Sequence, residues 1–274
     1  MRNDECVQFL QWCLPKRQLR WSGFRRVRRI VCKRIDRRLK ELGLSSINDY
    51  CAYLEDHPAE WVLLDTFCRI PISRFYRDRA VFQFLEKKAP AELSSAAVAR
   101  GERVLRCWSI GCASGEEPYS LSILWRKTLA PRFSSLAIRI LATDAEPEMI
   151  QRAERGCYKA NSLKDLPEDW KQKVFEPSGD LYCIKSAYRK PVTFLLQDIR
   201  ERIPHEWFHF ILCRYLVFTY FDEALQRKIL REILDHLVPG GVFLIGNTED
   251  LPGGNFGLEP WSAWKSAYQK PFGC

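Results

Sequence analysis

No stretch of the 274-residue chain approaches the ~18 consecutive apolar residues of a membrane-spanning helix, so none is expected. The N-terminus, MRNDECVQFLQWCLPKR, lacks the apolar run and small-residue cleavage site of a secretory signal, and a cytoplasmic location is the expectation. Internal repeats and low-complexity tracts are missing too. Among eleven cysteines there is no C-x-x-C pair, and the nearest two are Cys107 and Cys112. A zinc site wants clustered ligands, so no metal is expected. Cys68, Cys107, Cys183 and Cys213 sit in apolar runs and read as small buried hydrophobes. Of four histidines only His205 and His209 are close, flanking Trp207 and Phe208, and they read as partly exposed structural residues.

What is present is a chain able to bury a core. Apolar residues make up 46% and aromatics 13%, which argues against disorder. The net charge of +9 is uneven: residues 16–40 hold twelve Lys or Arg against Asp36 alone, leaving the remainder near −2. A basic segment on a near-neutral body suits a polyanionic or acidic partner.

Residues 1–70 read as helical. Val27, Val31, Ile35 and Leu39 repeat every four residues and mark one apolar helix face. Arg26, Arg29, Lys33, Arg37 and Lys40 form a neighbouring basic stripe, and Gly43 ends the helix. A second helix is expected after Ser45 or Ser46 and a third from Ala59 to Cys68. Pro71 breaks the pattern, Ser73 is placed to cap a helix carrying Val81, Phe82 and Leu85, and Ala89 to Gly101 reads as a surface connection. The expected division is a basic, helical, substrate-docking domain over 1–75 and a second domain over 76–274.

The second domain is organised around RVLRCWSIGCASGEEPYSLSILWR, residues 103–126. Val104 to Ile110 suits a buried strand, Gly111 and Gly115 bracket a tight turn, and Pro118 stands where a helix begins. Strand, glycine turn and helix in that order make a ligand-binding corner. Glu116 and Glu117 are expected at its mouth, where a phosphate cradle would place amide donors and a lysine. Carboxylates there repel phosphate and attract an ammonium or sulfonium, which points to a cationic cofactor such as S-adenosylmethionine.

Further strands are expected at Ala137–Ala142, Val192–Leu196, His209–Cys213 and Val242–Ile245, with helices at Glu148–Glu154 and Leu225–Leu237. Pro239-Gly240-Gly241 reads as a turn, and Leu181–Ile184 as part of a small inserted hairpin. Alternation of strands and helices predicts an α/β, doubly wound, mainly parallel sheet. Asp144 and Asp198 stand at strand ends, Asp144 where doubly wound folds place an acid on a ribose.

The strings GCASGEEPYS, ATD at 142–144, ILCRYLVFTYFD at 211–222 and VPGGVFLIGNTED at 238–250, with FYRD at 75–78, resemble the chemotaxis receptor methyltransferases, the CheR family. The resemblance implies a class I S-adenosylmethionine-dependent fold with a helical N-terminal domain and a small antiparallel insertion, here about 158–197. It implies methyl transfer to glutamates on receptor cytoplasmic helices. It also implies roles: Arg77 at cofactor and acceptor carboxylate, Glu117 on the methionine amino group, Asp144 on the ribose, Asp198 beside adenine. Arg214 matches the arginine of the family's C-R-N string, and Ser73 stands where threonine is common. Gly111 and Gly115 shape the cofactor turn. Tyr215 replaces the family's asparagine and is expected, with Ser73 and Arg214, among the cofactor contacts. Arg214 is also expected to be catalytic, and Tyr220 matches the active-site tyrosine across one extra residue. A monomer is expected. Two other readings stay open: a nucleic-acid methyltransferase drawn by the basic segment, although N-P-P-Y and D-P-P-Y are missing, and a cofactor-binding regulator without catalysis.

Overall fold

The computed structural model describes residues 2–87, 89–262 and 264–272 and divides into two compact units. One runs to Ile70 and takes in Thr219–Gln226; the other is Pro71–Phe218 with the chain from Arg227 onward.

The first unit is helical: α1 (Asn3–Lys16), α2 (Arg28–Glu41), α3 (Ile47–Asp56) and α4 (Pro58–Phe67). The four-residue spacing of α2 buries Val31, Ile35 and Leu39. Ser46 caps α3 through its hydroxyl, which accepts from the Asp49 amide, while the Asp49 carboxylate accepts from the Ser46 amide. Pro58 opens α4, where a missing N–H costs nothing. Not every base on α2 faces water. Arg38 forks onto the buried Glu60 at 2.9 Å, with the Tyr50 hydroxyl donating to the same carboxylate, and Arg34 donates to the carbonyls of Phe67 and Arg69. Arg26, Arg29, Lys33, Arg37 and Lys40 are exposed, with Arg37 and Lys40 paired to Glu41 and Asp36. The segment from Thr219 joins this unit by backbone bonds: the Arg20 amide donates to Tyr220 and the Asp222 amide to Gln18.

The second unit contains a seven-stranded sheet in the order β6-β2-β1-β7-β8-β10-β9. Its strands are β1 (Val104–Ile110), β2 (Ala137–Asp144), β6 (Val192–Leu196), β7 (Phe208–Cys213), β8 (Leu237–Ile245), β9 (Glu259–Pro260) and β10 (Ala267–Gln269). The first five are parallel, and β10 runs antiparallel to both neighbours. Between β2 and β6 the chain inserts a separate antiparallel sheet of β3 (Cys157–Lys159), β4 (Phe175–Ser178) and β5 (Leu181–Ile184). Helices α5 (Arg79–Lys87), α6 (Ala89–Ala99), α7 (Glu116–Leu124), α8 (Pro147–Arg155), α9 (Glu168–Val174) and α10 (Glu223–Asp235) complete the chain. The expected α/β sheet is thus present. β7 is buried throughout, and its residues are apolar except for His209.

Five local expectations need correction. Residues 89–99 form a helix, because the alanine-rich stretch has high helix propensity and buries Leu93 and Ala97 at i, i+4 spacing. Ser73 caps nothing, since α5 begins only at Arg79. The turn at 239–241 lies inside β8, as a register irregularity opposite Phe208 and Phe210. His209 is 2% exposed, held between the Arg106 amide and Glu102. Finally, not all cysteines are lone hydrophobes: Cys6 bonds to Cys32 and Cys157 to Cys183, each pair 26 residues apart.

Candidate functional site

Strand order reverses at β1, which has β2 on one side and β7 on the other, and ligands of such sheets bind in the crevice beyond the carboxyl ends at that point. The turn from β1 into α7 needs its glycines. Gly111 has φ +69° and Gly115 φ +90°, and a Cβ on Gly115 would lie 2.9 Å from the Ala153 side chain. Backbone strain collects here. Four non-glycine residues with positive φ contribute: Ala113 and Tyr215 in the loops at these strand ends, and Tyr76 and Asp78 in the segment before α5 that hydrogen-bonds to Ser120 and Arg214.

Four of the turn's amides are already used. Gly111 and Cys112 both donate to the Thr143 carbonyl, Gly115 donates to Cys112, and Ala113 donates to the Asp144 carboxylate at 2.8 Å. A phosphate would find few free amide donors and no lysine at the turn, which is edged by the Glu117 and Asp144 carboxylates. The two adjacent acids part company. Glu116 is 1% exposed, turned inward to the Ser114 hydroxyl, and burial raises its pKa although Ser114 and Ser73 hydrogen bonds oppose the shift. Only Glu117 therefore serves the crevice; it accepts from Ser109 at 2.8 Å and from Arg214 at 2.9 Å. A carboxylate with two partners retains lone pairs for a third.

Asp144, at the end of β2, also accepts the Glu146 amide. Asp198 follows β6, its carboxylate forked by Arg200 at 2.6 and 3.0 Å. Beside it the Gln197 side-chain carbonyl is buried with no hydrogen-bond partner among the described residues. Carboxylates at the ends of three neighbouring elements suit an ammonium or sulfonium and a ribose diol, so the donor set fits the cofactor the turn implied.

Arg214, at the end of β7, is 2% exposed and heavily engaged. One terminal nitrogen donates to Glu117; the other donates to Asp78 at 2.7 Å and to the Arg77 carbonyl. Burial opposes its charge, but Glu117 and Asp78 outweigh burial and its pKa is raised. Arg77 differs. Its guanidinium lies over the Tyr215 ring, Cζ to centroid 4.2 Å, and among the described residues it donates one hydrogen bond, to the Ile72 carbonyl. The loop that carries it is docked through the Tyr76 amide on Ser120 and the Phe75 amide on Ser162.

The structure thus gathers Ser73, Arg77, Gly111, Gly115, Glu117, Asp144, Arg214 and Tyr215 about one crevice, with Asp198 beyond β6. Tyr220 lies in the helical unit, its ring 5.0 Å from Phe24. Two acids went unsingled in the sequence: Asp78, inside the quoted FYRD, and Glu249, inside NTED. Glu249 is buried and accepts the amides of Tyr215 at 2.8 Å and Gly246 at 2.7 Å. An acid directly after a motif arginine was the available signal for Asp78.

A family model described as CheR methyltransferase, SAM binding domain, matches residues 72–263, and one described as CheR methyltransferase, all-alpha domain, matches 28–64. The chain is 35% identical over 193 residues to the chemotaxis protein methyltransferase of Listeria innocua, covering 69% of this chain and 70% of that one. It is 30% identical over 235 residues to that of Klebsiella aerogenes, covering 82% and 76%. To that of Borreliella burgdorferi it is 27% identical over 229 residues, covering 82% and 81%.

Proposed function

The chain belongs to the CheR methyltransferase family, and on that premise we propose that it esterifies glutamate side chains on the cytoplasmic helices of chemoreceptors. It is an S-adenosylmethionine-dependent methyltransferase. The cofactor supplies a methyl group already activated on a sulfonium. An ionised glutamate is already a nucleophile at neutral pH, so no general base is needed. The chain's task is to align acceptor and donor and to exclude water, effects that together contribute about 7–11 kcal/mol for well-oriented reactants.

In this reading Glu117 binds the cofactor's ammonium, Asp144 its ribose hydroxyls, and Asp198 with Gln197 its adenine edge. Arg77 holds the acceptor carboxylate. The contrast between the two arginines carries the reading: Arg214 is neutralised by Glu117 and Asp78, whereas Arg77 keeps its charge and spare donors. Arg214 then acts as the hub that fixes Glu117. Tyr220, packed at a tilt against Phe24, is left without a catalytic assignment.

The exposed bases of α2 supply the docking face for the acidic receptor helix, steering it over a range near the Debye length, about 8 Å at physiological salt. Such acceptor glutamates place the reaction in the cytoplasm, and it needs one copy of the chain. The test is incubation of the protein with radiolabelled S-adenosylmethionine and a purified receptor cytoplasmic fragment. Label released as methanol in mild alkali is the expected result. Alkali-stable label, or label on added RNA instead, would overturn it.

A further inference from the structure

Tyr215 stands where the resemblance has asparagine, and its surroundings explain what a larger ring does there. Its backbone is held at φ +60° by the Glu249 carboxylate, which accepts its amide at 2.8 Å. Gly246 leaves room for the ring: a Cβ there would lie 2.6 Å from Tyr215 Cε1. The hydroxyl donates to Asp78, the same carboxylate that neutralises Arg214, and accepts from the Asn247 amide at 3.3 Å. Burial, followed by the Asp78 carboxylate, raises the phenol's pKa, so it stays a donor. Ring position is therefore fixed at three points, and on it rests the Arg77 guanidinium.

We infer that Tyr215 is a positioning residue for methyl transfer: its ring is the platform over which the Arg77 guanidinium is held, with no carboxylate partner among the described residues, for the acceptor carboxylate. A carboxylate partner would also fix an arginine, but it would neutralise the charge and compete with the acceptor. An aromatic face orients the planar guanidinium and leaves its edge donors free. Asp78 spends its charge on Arg214 and the phenol, which keeps it off Arg77. The inference rests on the reading of Arg77 as the acceptor's partner and assigns Tyr215 to the acceptor side of the site, not to the cofactor.

The experiment compares Tyr215→Leu and Tyr215→Phe with the parent, using the radiolabelled cofactor and a receptor cytoplasmic fragment. Tyr215→Leu is expected to raise the KM for the fragment about three- to thirty-fold, the range a cation–π contact is worth. Cofactor affinity by calorimetry stays within about twofold, which also reports that the variant is folded. Tyr215→Phe, which keeps the ring but gives up the hydroxyl's two hydrogen bonds, recovers most of the KM change. A cofactor Kd that rises in step with KM, or a KM for Tyr215→Leu equal to the parent's, overturns the inference. Failure of the parent to methylate the fragment overturns the proposed function instead. A second readout needs no acceptor: the Arg77 Nε–Hε NMR signal, assigned with Arg77→Lys, is expected to show a ring-current shift in parent and Tyr215→Phe that Tyr215→Leu loses. The same shift in all three proteins overturns the platform.

Discussion

The Asp144 carboxylate accepts the Ala113 amide at 2.8 Å, tying the end of β2 to the glycine turn after β1. One acid thereby shapes the turn and faces the crevice. Asp144→Ala is expected to lower cofactor affinity by about a hundredfold or more, since a charged hydrogen-bond acceptor and the turn's anchor go together. Calorimetry with S-adenosylhomocysteine measures it, and affinity equal to the parent's would remove Asp144 from the site.

Arg77 is expected to separate binding from transfer. Arg77→Ala should keep cofactor affinity within about threefold while methyl transfer falls about a hundredfold, the order that misplacing one reactant costs. The comparison is calorimetric Kd against initial rate on the receptor fragment.

Charge reversal on α2 tests the docking face. Arg29→Glu combined with Lys33→Glu alters two exposed side chains outside the crevice. The KM for the fragment should rise, and its dependence on salt should flatten, because steering charge is what salt screens. Turnover of saturating fragment should hold.

Glu60 tests what holds the helical unit together. Arg38 hydrogen bonds hold its carboxylate below the usual range against burial. Glu60→Ala leaves the Tyr50 hydroxyl without its acceptor and the Arg38 guanidinium with the more exposed Glu41 at 3.3 Å, and is expected to cost about 3 kcal/mol. Denaturant unfolding measures it.

The pH dependence of stability should carry a mark of His209. Its Nδ1 accepts from the Arg106 amide, so the neutral ring donates from Nε2 to Glu102. Burial lowers its pKa despite the Glu102 charge. The unfolded chain then takes up the proton first. Stability is full above the ordinary histidine pKa of about 6.5 and falls as pH drops through and below it. Thermal unfolding between pH 8 and 5.5 should show this slope, and His209→Gln should flatten it.

The sequence by itself determined the elements whose causes are local. Apolar runs and glycines at 111 and 115 make β1, its turn and α7 whatever surrounds them, and the four-residue spacing of Val31, Ile35 and Leu39 makes α2. The inserted sheet and the acids at strand ends were legible for the same reason, since punctuation and periodicity act over a few residues. Tertiary structure alone decided which chemistry each side chain performs. It turned Glu116 into the core and left its neighbour Glu117 to the crevice. It brought Asp78 to Arg214 and Tyr215 across more than 130 residues, and Glu249 to Tyr215 across 34. It also paired Cys6 with Cys32 and Cys157 with Cys183. These contacts depend on how distant segments align once the sheet has formed, and no periodicity in the chain encodes that alignment.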